Sequence, residues 1–310
     1  MTKGFSDHAV LDGLDLRIGE GERVALLGLN GAGKTTLFRC LLGVTDFAGR
    51  ATVAGLDVGA GGREVREKIG YVPQRPPHFH GRLSELVAFF SRLRGVDPAR
   101  VARRLEALDL SLAEHGGKRV AALSGGMLQK TLLALALASE VPVLLLDEPT
   151  ANLDPRARSE FVRALNAVSP DTTILLASHR LGEVQAVADR LVVLHDGRIV
   201  FDGDLGRLRS RARAGLILWI RPAALSRTAL LRRLRDDGGV GSVLEAGSAV
   251  GVRADRATLI GLLSDVRELG LEIEEFWTEL PSLEEMLGGL LGLRIEGAEP
   301  GMETRREAGA

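Results

Sequence analysis

The sequence predicts an α/β fold with a largely parallel sheet, followed by a small α+β domain. Short unbroken apolar runs, bounded by glycine, proline or polar residues, indicate strands that are buried on both faces. Helical patterns separate these runs, and the pattern of predicted strands and helices changes after about residue 205. The runs are Val24–Leu27, Val143–Leu146, Ile174–Ala177 and Leu191–Leu194.

Helices are predicted between the buried strands, at Lys34–Leu42, Pro155–Val168 and Leu181–Ala188. The second of these has a well-marked start, because Asp154 is a favoured N-cap residue and proline suits the first helical position. The alternation of strands and helices predicts crossover connections and therefore parallel neighbours in the sheet.

The same patterns predict the domain organisation. Residues 1–205 form the large domain, and the helical pattern from about 84 to 139 predicts a helical subdomain that leaves the sheet and returns to it. A basic segment at 206–215 is expected to be a solvated linker. Residues 216–292 alternate strands and helices as a small α+β domain, and 293–310 are expected to be a disordered tail.

Composition excludes several classes of protein. The chain has 310 residues, 45% hydrophobic and 26% charged, with a net charge of -1, so no basic field for nucleic acid is present. The single cysteine, Cys40, rules out an internal disulfide and is expected in the core. The N-terminus has no secretory pattern, and no apolar run reaches the length of a membrane helix, so we expect a cytoplasmic protein.

A glycine-rich segment stands between the first predicted strand and the first predicted helix. Its glycines allow backbone N–H groups to converge on phosphate oxygens, its lysine supplies a positive charge, and the helix N-terminus adds its dipole. A plain glycine-rich turn is the alternative, but the strand before it and the helix after it favour a phosphate-binding loop. The segment therefore predicts a nucleoside triphosphatase. It is Gly28-Leu29-Asn30-Gly31-Ala32-Gly33-Lys34-Thr35, followed by Thr36.

Two adjacent carboxylates follow the apolar run Val143–Leu146. Acids at a strand end are commonly solvated or capping groups. In a chain with a phosphate-binding loop, Asp147 instead suits a Mg²⁺ partner, and Glu148 suits a base that polarises the attacking water. The hydroxyl of Thr35 can bind the same ion.

Four further motifs occur along the chain. Taken alone, a Ser-Gly-Gly segment is an ordinary turn, and a histidine at a strand end is usually a satisfied polar residue. Together, in this order, the motifs resemble those of the ABC ATPase family over residues 5 to about 205. They are the Q-loop Tyr71–Gln74, the signature Leu123–Lys130, the D-loop Asn152–Asp154 and the switch histidine after Ser178.

The resemblance implies a role for individual residues. Phe5 is expected to stack on adenine, Gln74 to touch Mg²⁺ and the γ-phosphate, and His179 to contact the γ-phosphate. Glu148 and His179 would be the catalytic residues. ATP would be bound by Phe5, Gly28, Leu29, Asn30, Gly31, Ala32, Gly33, Lys34, Thr35, Thr36 and Gln74, with Ser124, Gly125 and Gly126 of the partner subunit, and Mg²⁺ by Thr35, Gln74 and Asp147.

The resemblance also implies a function in transport. In this family two copies close head to tail around two ATP molecules, as a homodimer or a heterodimer, and pass the movement to a membrane permease on a separate chain. The surface around Arg75 to Phe90 would face that permease. The chain would then be the ATP-binding and ATP-hydrolysing subunit of an ABC transporter at the cytoplasmic face of the membrane.

Two alternatives stay open at this point. Some ABC ATPases act on ribosomes or chromosomes, but they carry a second ATPase domain or a long coiled coil, and neither pattern occurs here. A nucleotide-binding regulator without turnover is the other alternative, and the presence of both Glu148 and His179 argues against it.

The chain departs from the family pattern at two places. Met127 replaces the usual glutamine of the signature, which leaves its serine and glycines intact. The chain also begins almost at Phe5, so either the edge strand that usually precedes this aromatic is absent or the start codon is set too late. The C-terminal segment Phe276–Leu287 resembles the tails of bacterial ATPases paired with export-type permeases, a branch that includes drug and antibiotic exporters and copper-processing system ATPases. We therefore expect export, with import as the alternative. Phe276 and Trp277 are expected in the core of the small domain.

Overall fold

The computed structural model describes residues 1–5, 8–212, 215–223, 225–236, 242–254 and 256–292. The chain divides into two units, Met1–Leu205 and the remainder from Gly206 onward. The predicted tail at 293–310 lies outside the described residues. The segment predicted as a linker is largely helical, and Leu208 within it is buried.

The first unit has a six-stranded sheet as its centre. The sheet order is β10-β9-β3-β8-β7-β6, with β10 antiparallel to β9 and the other neighbours parallel. The predicted α/β fold is therefore confirmed. The strands are β1 (Lys3–Phe5), β2 (His8–Leu11), β3 (Arg23–Leu27), β4 (Thr52–Val53), β5 (Leu56–Asp57), β6 (Ile69–Val72), β7 (Val143–Asp147), β8 (Thr173–Ala177), β9 (Arg190–His195) and β10 (Arg198–Gly203). The helices are α1 (Lys34–Leu41), α2 (Val58–Glu67), α3 (Leu83–Arg94), α4 (Pro98–Glu106), α5 (Leu112–His115), α6 (Gly125–Ala138), α7 (Pro155–Asn166) and α8 (Leu181–Val187), with a 3₁₀ turn at Val120–Ala122.

Helices cover both faces of this sheet, which explains the unbroken apolar runs. On one face Leu145 packs in a cluster with Phe38 of α1, and on the other Leu144 packs in a cluster with Phe161 of α7. All four side chains are almost completely buried. Successive residues of a strand point to opposite faces, so a strand between two helical layers needs apolar residues at every position.

Two hairpins were not expected from the sequence. β1 pairs with β2, so Phe5 ends a strand of 3 residues, and the alternative in which the strand before this aromatic is absent was wrong. β9 and β10 are joined by Asp196 and Gly197, which have φ of 47° and 73°. Such left-handed pairs make the tight turn that suits the twist of a hairpin.

Between β6 and β7 the chain forms the helices α3 to α6. The last of them is apolar around most of its circumference and leads into β7 after a short connection. Cys40 is buried in the sheet-facing side of α1, as expected, and burial raises the pKa of its thiol. Among the described residues no helix combines the length and the apolarity needed to cross a membrane.

The second unit is an α+β arrangement around an antiparallel sheet. The sheet order is β12-β13-β11-β14, and all three pairings are antiparallel. Its elements are α9 (Leu205–Arg211), β11 (Leu216–Pro222), α10 (Arg227–Asp236), β12 (Ser242–Ala246), β13 (Ala249–Ala254), α11 (Arg256–Glu268), β14 (Ile273–Glu279) and α12 (Leu283–Leu291).

Each face of this second sheet has its own apolar cluster. Leu218 and Ile220 of β11 pack with residues of α10 and α11, whereas Trp219 points to the other face and stacks on Trp277 at 6.1 Å between ring centroids. A side chain at Gly251 would lie 2.8 Å from the ring of Trp219, so the ring requires a glycine there. The expectation that Phe276 is a core residue was wrong, because its neighbour on the strand points inward and it is 59% exposed.

Candidate functional site

The segments singled out from the sequence follow the ends of four adjacent parallel strands. The glycine-rich loop follows β3, His179 lies two residues after the end of β8, Asp147 ends β7, and Gln74 lies two residues after the end of β6. Parallel strands place their carboxyl ends at one edge of the sheet, so these segments meet there. This edge is where ligands bind in open α/β sheets.

Backbone geometry shapes the glycine-rich loop. Gly31 and Gly33 have φ of 84° and 105°, a left-handed region that favours glycine. A Cβ on Gly33 would lie 2.8 Å from the carbonyl oxygen of Val10, so β2 packs directly against the loop. Helix α1 begins at Lys34 without a side-chain cap, which leaves its first N–H groups free to bind an anion.

Lys34 holds its ammonium inside the loop. Its Nζ donates to the carbonyl oxygens of Gly28 at 2.6 Å and Leu29 at 3.3 Å, and the residue is 9% exposed. Burial lowers the pKa of this ammonium, and the carboxylates of Glu148 and Asp147 partly oppose that shift. A positive charge is therefore positioned at the centre of the loop, where phosphate oxygens would bind.

Asp147 is the buried carboxylate of the site. It is 1% exposed and accepts a hydrogen bond from the hydroxyl of Thr35 at 2.8 Å. Burial raises the pKa of Asp147 despite that bond, and the charge of Glu148 adds to the rise. A hydroxyl and a carboxylate oxygen this close are the hard ligands that Mg²⁺ prefers, so the residues fit the ion.

Tyr71 belongs to the predicted Q-loop, and the sequence predicted no role for it. Its phenol lies close enough to Asp147 for that carboxylate to shift the pKa of the phenol. Burial and the charge of that carboxylate raise the pKa of Tyr71 to about 12, so the phenol stays protonated and remains a donor. The ring also packs edge-on against Phe38 of α1 at 6.4 Å between centroids.

Glu148 brings together the other predicted catalytic groups. Its Oε2 lies 3.3 Å from Nε2 of Gln74 and 3.3 Å from Nδ1 of His179. The backbone of Glu148 is left-handed, with φ of 45°, and its N–H donates to the carbonyl oxygen of Ala177 at 2.9 Å. A non-glycine residue in this conformation costs about 1 kcal/mol or more, and such strain is concentrated at functional sites.

The signature residues lie elsewhere on the surface of the first unit. Ser124 caps α6, accepts from the N–H of Met127 at 3.2 Å, and is exposed together with Gly125. Gly125 and Gly126 lie against Asn152 of the D-loop. Within the described part of the chain, no hydrogen bond or ion pair connects Ser124–Gly126 with the glycine-rich loop.

Phe5 is on the surface, at the end of β1. Its ring is 49% exposed and lies 4.8 Å from the ammonium of Lys3. The hairpin that carries it is attached to the loop through Val10, whose carbonyl packs on Gly33. An exposed aromatic ring on this hairpin can stack on a base, and its role in adenine binding stays a prediction.

A buried carboxylate, Glu183, was missed from the sequence. It is 6% exposed and accepts hydrogen bonds from the hydroxyls of Thr150 at 2.5 Å and Ser178 at 2.8 Å. Thr150 follows Glu148 by two residues, and Ser178 precedes His179. The only signal in the sequence is an acid in the first turn of a short helix, which is ordinary for a helix start.

Aromatic residues lie on α3 and the loop before it, within the segment from Arg75 to Phe90. Phe79 and Phe89 are in contact, with ring centroids 6.3 Å apart, and Phe89 is 51% exposed. Leu93, one turn further along α3, is 64% exposed. Exposed apolar side chains that cluster in this way are typical of a protein–protein contact surface.

A glycine-rich loop with a buried lysine, next to strand-end carboxylates, defines a phosphate-loop nucleoside triphosphatase. Comparison with known proteins then identifies the family. Residues 11–151 match the family model described as ABC transporter. The daunorubicin resistance ATP-binding protein DrrA3 of Streptomyces coeruleorubidus is 34% identical over 94% of this chain and 93% of its own length.

Other relatives agree with this result. The Nod factor export ATP-binding protein I of Rhizobium etli is 39% identical over 66% of this chain and 66% of its own length. Among solved structures, an ATP-binding subunit of an ABC transporter superposes with a TM-score of 0.62 at 29% identity, over 68% of this chain and 90% of that one. The chain belongs to the family of ABC transporter ATP-binding subunits and is an ATPase. Members of this family normally dimerise and pair with membrane permeases.

Proposed function

We propose that this chain supplies ATP hydrolysis to an export permease on a separate chain, at the cytoplasmic face of the membrane. The observation that carries the proposal is the convergence of Gln74 and His179 on Glu148, beside the buried pair of Lys34 and Asp147. Nucleic acid has no part in it, because the chain has a net charge of -1.

The chain's own groups can hold the triphosphate. The ammonium of Lys34 and the uncapped N–H groups of α1 are donors for its β- and γ-phosphate oxygens, and Phe5 is a stacking surface for adenine. Thr35 and Asp147, with Gln74, would hold Mg²⁺, which when bound supplies charge neutralisation on the phosphates. Two protein oxygens in contact leave room for ligands from phosphate and water.

Glu148 is proposed as the group that accepts hydrogen from the attacking water. Its carboxylate is 11% exposed at the side chain, so water reaches it from one direction. Gln74 and His179 both contact the same oxygen, Oε2, and leave the other oxygen for the water. His179 is 47% exposed at the side chain, which supports a proposed contact with the γ-phosphate.

A second copy of the chain, identical or homologous, would complete each site. Ser124 and Gly125 are exposed at the N-terminus of α6, a backbone arrangement suited to phosphate, yet they make no bond to the loop of their own chain. A head-to-tail pair brings Ser124 of the partner subunit to that loop. ATP then stabilises the closed pair, because only that state makes both sets of contacts.

The direction of transport is inferred from the relatives. The relatives include proteins named for daunorubicin resistance, two of which match over nearly the whole chain, and proteins named for Nod factor export. The aromatic surface around Phe79 and Phe89 is the proposed contact with the permease. The cargo is chosen by that permease.

The test is Glu148→Gln, which keeps the size of the side chain and removes its basicity. We expect the rate of ATP hydrolysis to fall about 10²- to 10⁴-fold, the contribution of a general base, while ATP binding persists and a closed dimer accumulates. Steady-state hydrolysis, nucleotide binding and light scattering measure the three quantities.

The matched control is Glu140→Gln. Glu140 also has a left-handed backbone, with φ of 46°, but its carboxylate pairs with Arg100 away from the strand ends. Its hydrolysis rate should stay close to that of the unchanged protein. An undiminished rate in Glu148→Gln would contradict the role given to Glu148.

A further inference from the structure

Glu183 occupies an unusual place beneath the candidate site. Its two carboxylate oxygens are divided between two hydroxyls, since Oε1 accepts from Thr150 at 2.5 Å and Oε2 accepts from Ser178 at 2.8 Å. All three residues are at most 6% exposed. A buried carboxylate that lost these donors would carry the full cost of desolvation, so the three groups hold one another in place.

The two hydroxyls lie on the two segments that carry the proposed catalytic pair. Thr150 is two residues after Glu148, and Ser178 immediately precedes His179. Ser178 also accepts from the N–H of Arg180 at 3.1 Å, which fixes the turn on the far side of the histidine. The 3.3 Å contact between Glu148 and His179 therefore lies between two segments that are both attached to Glu183.

The same contacts reach the D-loop. The N–H of Leu153 donates to the carbonyl oxygen of Thr150 at 3.0 Å, and Asn152 lies between these residues and packs on the signature glycines Gly125 and Gly126. A change in the position of Thr150 would therefore alter the positions of both Glu148 and the signature loop. Thr150 is 2% exposed, so it has little room to move independently.

We propose that Glu183 is a positioning residue for hydrolysis, which sets the separation of Glu148 and His179 through Thr150 and Ser178. The proposal rests on the proposed roles of that pair. Glu183 itself does not touch the nucleotide. Both hydroxyls donate to this side chain and Nε of Arg180 lies 3.8 Å from its Oε1, so an amide in its place would present a further donor to groups that already donate.

The test compares two substitutions of the same kind. Glu183→Gln should lower kcat about 10- to 100-fold, the usual consequence of misplacing reacting groups by about an ångström, with the dissociation constant of ATP unchanged. Glu160→Gln is the control, because Glu160 is 5% exposed and paired with Lys130 and Arg156 away from the strand ends. It should lose stability while keeping kcat.

A double substitution separates this proposal from that of Glu148. Adding Glu183→Gln to Glu148→Gln should produce no further loss of kcat, because a group that acts through Glu148 has nothing left to position. An undiminished rate in Glu148→Gln alone would contradict the proposed function, whereas an undiminished rate in Glu183→Gln alone would contradict only the positioning role.

Substitutions at Thr150 keep the proposal testable if Glu183→Gln fails to fold. Thr150→Ser retains the hydroxyl and should retain kcat, whereas Thr150→Val removes it and should lower kcat with unchanged ATP affinity. Equal rates in these two variants, or a fall in ATP affinity that parallels the fall in kcat, would overturn the proposal.

Discussion

The two sheets of this molecule differ in where the polar residues at their strand ends lie. In the first unit four parallel strands end at one edge, and the polar groups that follow them meet there. In the second unit the strands are antiparallel, so consecutive strand ends alternate between the two edges. Parallel strands therefore bring their polar groups together at one edge of the sheet, whereas antiparallel strands distribute theirs over two edges.

The contacts of the charged groups differ accordingly. In the second unit Arg253 pairs with Glu285, and the indole N–H of Trp219 donates to Glu279 at 2.6 Å. These groups are satisfied by one another, as expected of structural residues. In the first unit Lys34 bonds only to backbone carbonyls, and Glu148 makes two contacts of 3.3 Å, so both keep capacity for a ligand.

Trp219→Ala should give the largest effect on stability. Its ring is 4% exposed, so its removal should cost the second unit about 3–5 kcal/mol through lost burial and an unfilled cavity. Hydrogen exchange of the β11 and β13 amides measures this loss. Phe276→Ala is the control, since that ring is 59% exposed and its removal should change stability by no more than about 0.5 kcal/mol.

ATP hydrolysis should persist in Trp219→Ala at temperatures where the second unit remains folded, because the polar groups of the site belong to the first unit. A loss of hydrolysis under those conditions would break the comparison between the two sheets. It would mean that the second unit contributes to the site.

Removing the serine caps of two helices should have an effect of intermediate size on stability. Ser124 caps α6 in the first unit and Ser282 caps α12 in the second, where Glu285 completes a capping box. Either change to alanine should cost about 1 kcal/mol of stability in thermal unfolding. Ser124→Ala should in addition lower hydrolysis roughly 10-fold, through a lost hydrogen bond to phosphate. Equal hydrolysis in the two variants would remove Ser124 from the site.

The smallest effect on stability is expected at Asp147, where a raised pKa means that the folded state holds a proton more tightly than the unfolded chain. Stability contributed by this group is then greatest below the unfolded pKa and falls as pH rises through the folded pKa. Asp147→Asn should therefore raise the thermal midpoint at neutral pH, without Mg²⁺ or nucleotide, and this gain should vanish in acid.

Asp154→Asn provides the control of opposite sign. Its hydrogen bond from the N–H of Ala157 lowers the pKa of Asp154, so its stabilisation is present at neutral pH and lost in acid. Asparagine caps helices about as well as aspartate. This variant should show no gain at neutral pH, and a rise equal to that of Asp147→Asn would contradict the burial argument.

Much of the first unit could be predicted because its signals are local. The run Val143–Leu146 identified a buried strand, and the Asp154 cap marked a helix start that the structure contains. The hairpin at Asp196 also had a local signal, an Asp-Gly pair, which was overlooked. Helix α2 had only the capping residue Asp57 as a local signal, because the helix contains several glycines and a kink at Gly62.

Glu183 and Tyr71 could not be found in the same way. Thr150 and Glu183 are 33 residues apart in the chain, and their contact depends on how β7, β8 and α8 pack. Tyr71 meets Asp147 across neighbouring strands. A carboxylate that binds two hydroxyls and one that faces solvent look alike in a sequence, because only the tertiary structure decides which is buried.

The stacked indoles of the second unit have an optical consequence. The chain contains 2 tryptophans, and these are Trp219 and Trp277, whereas the first unit has the single tyrosine, Tyr71. Intrinsic emission excited at long wavelength therefore comes from the second sheet alone. A change in that emission on adding ATP would have to arise around two rings that lie on a different sheet from the phosphate-binding loop. Tryptophan emission therefore reports, without an added dye, whether ATP binding at the first sheet changes the surroundings of the two indole rings in the second.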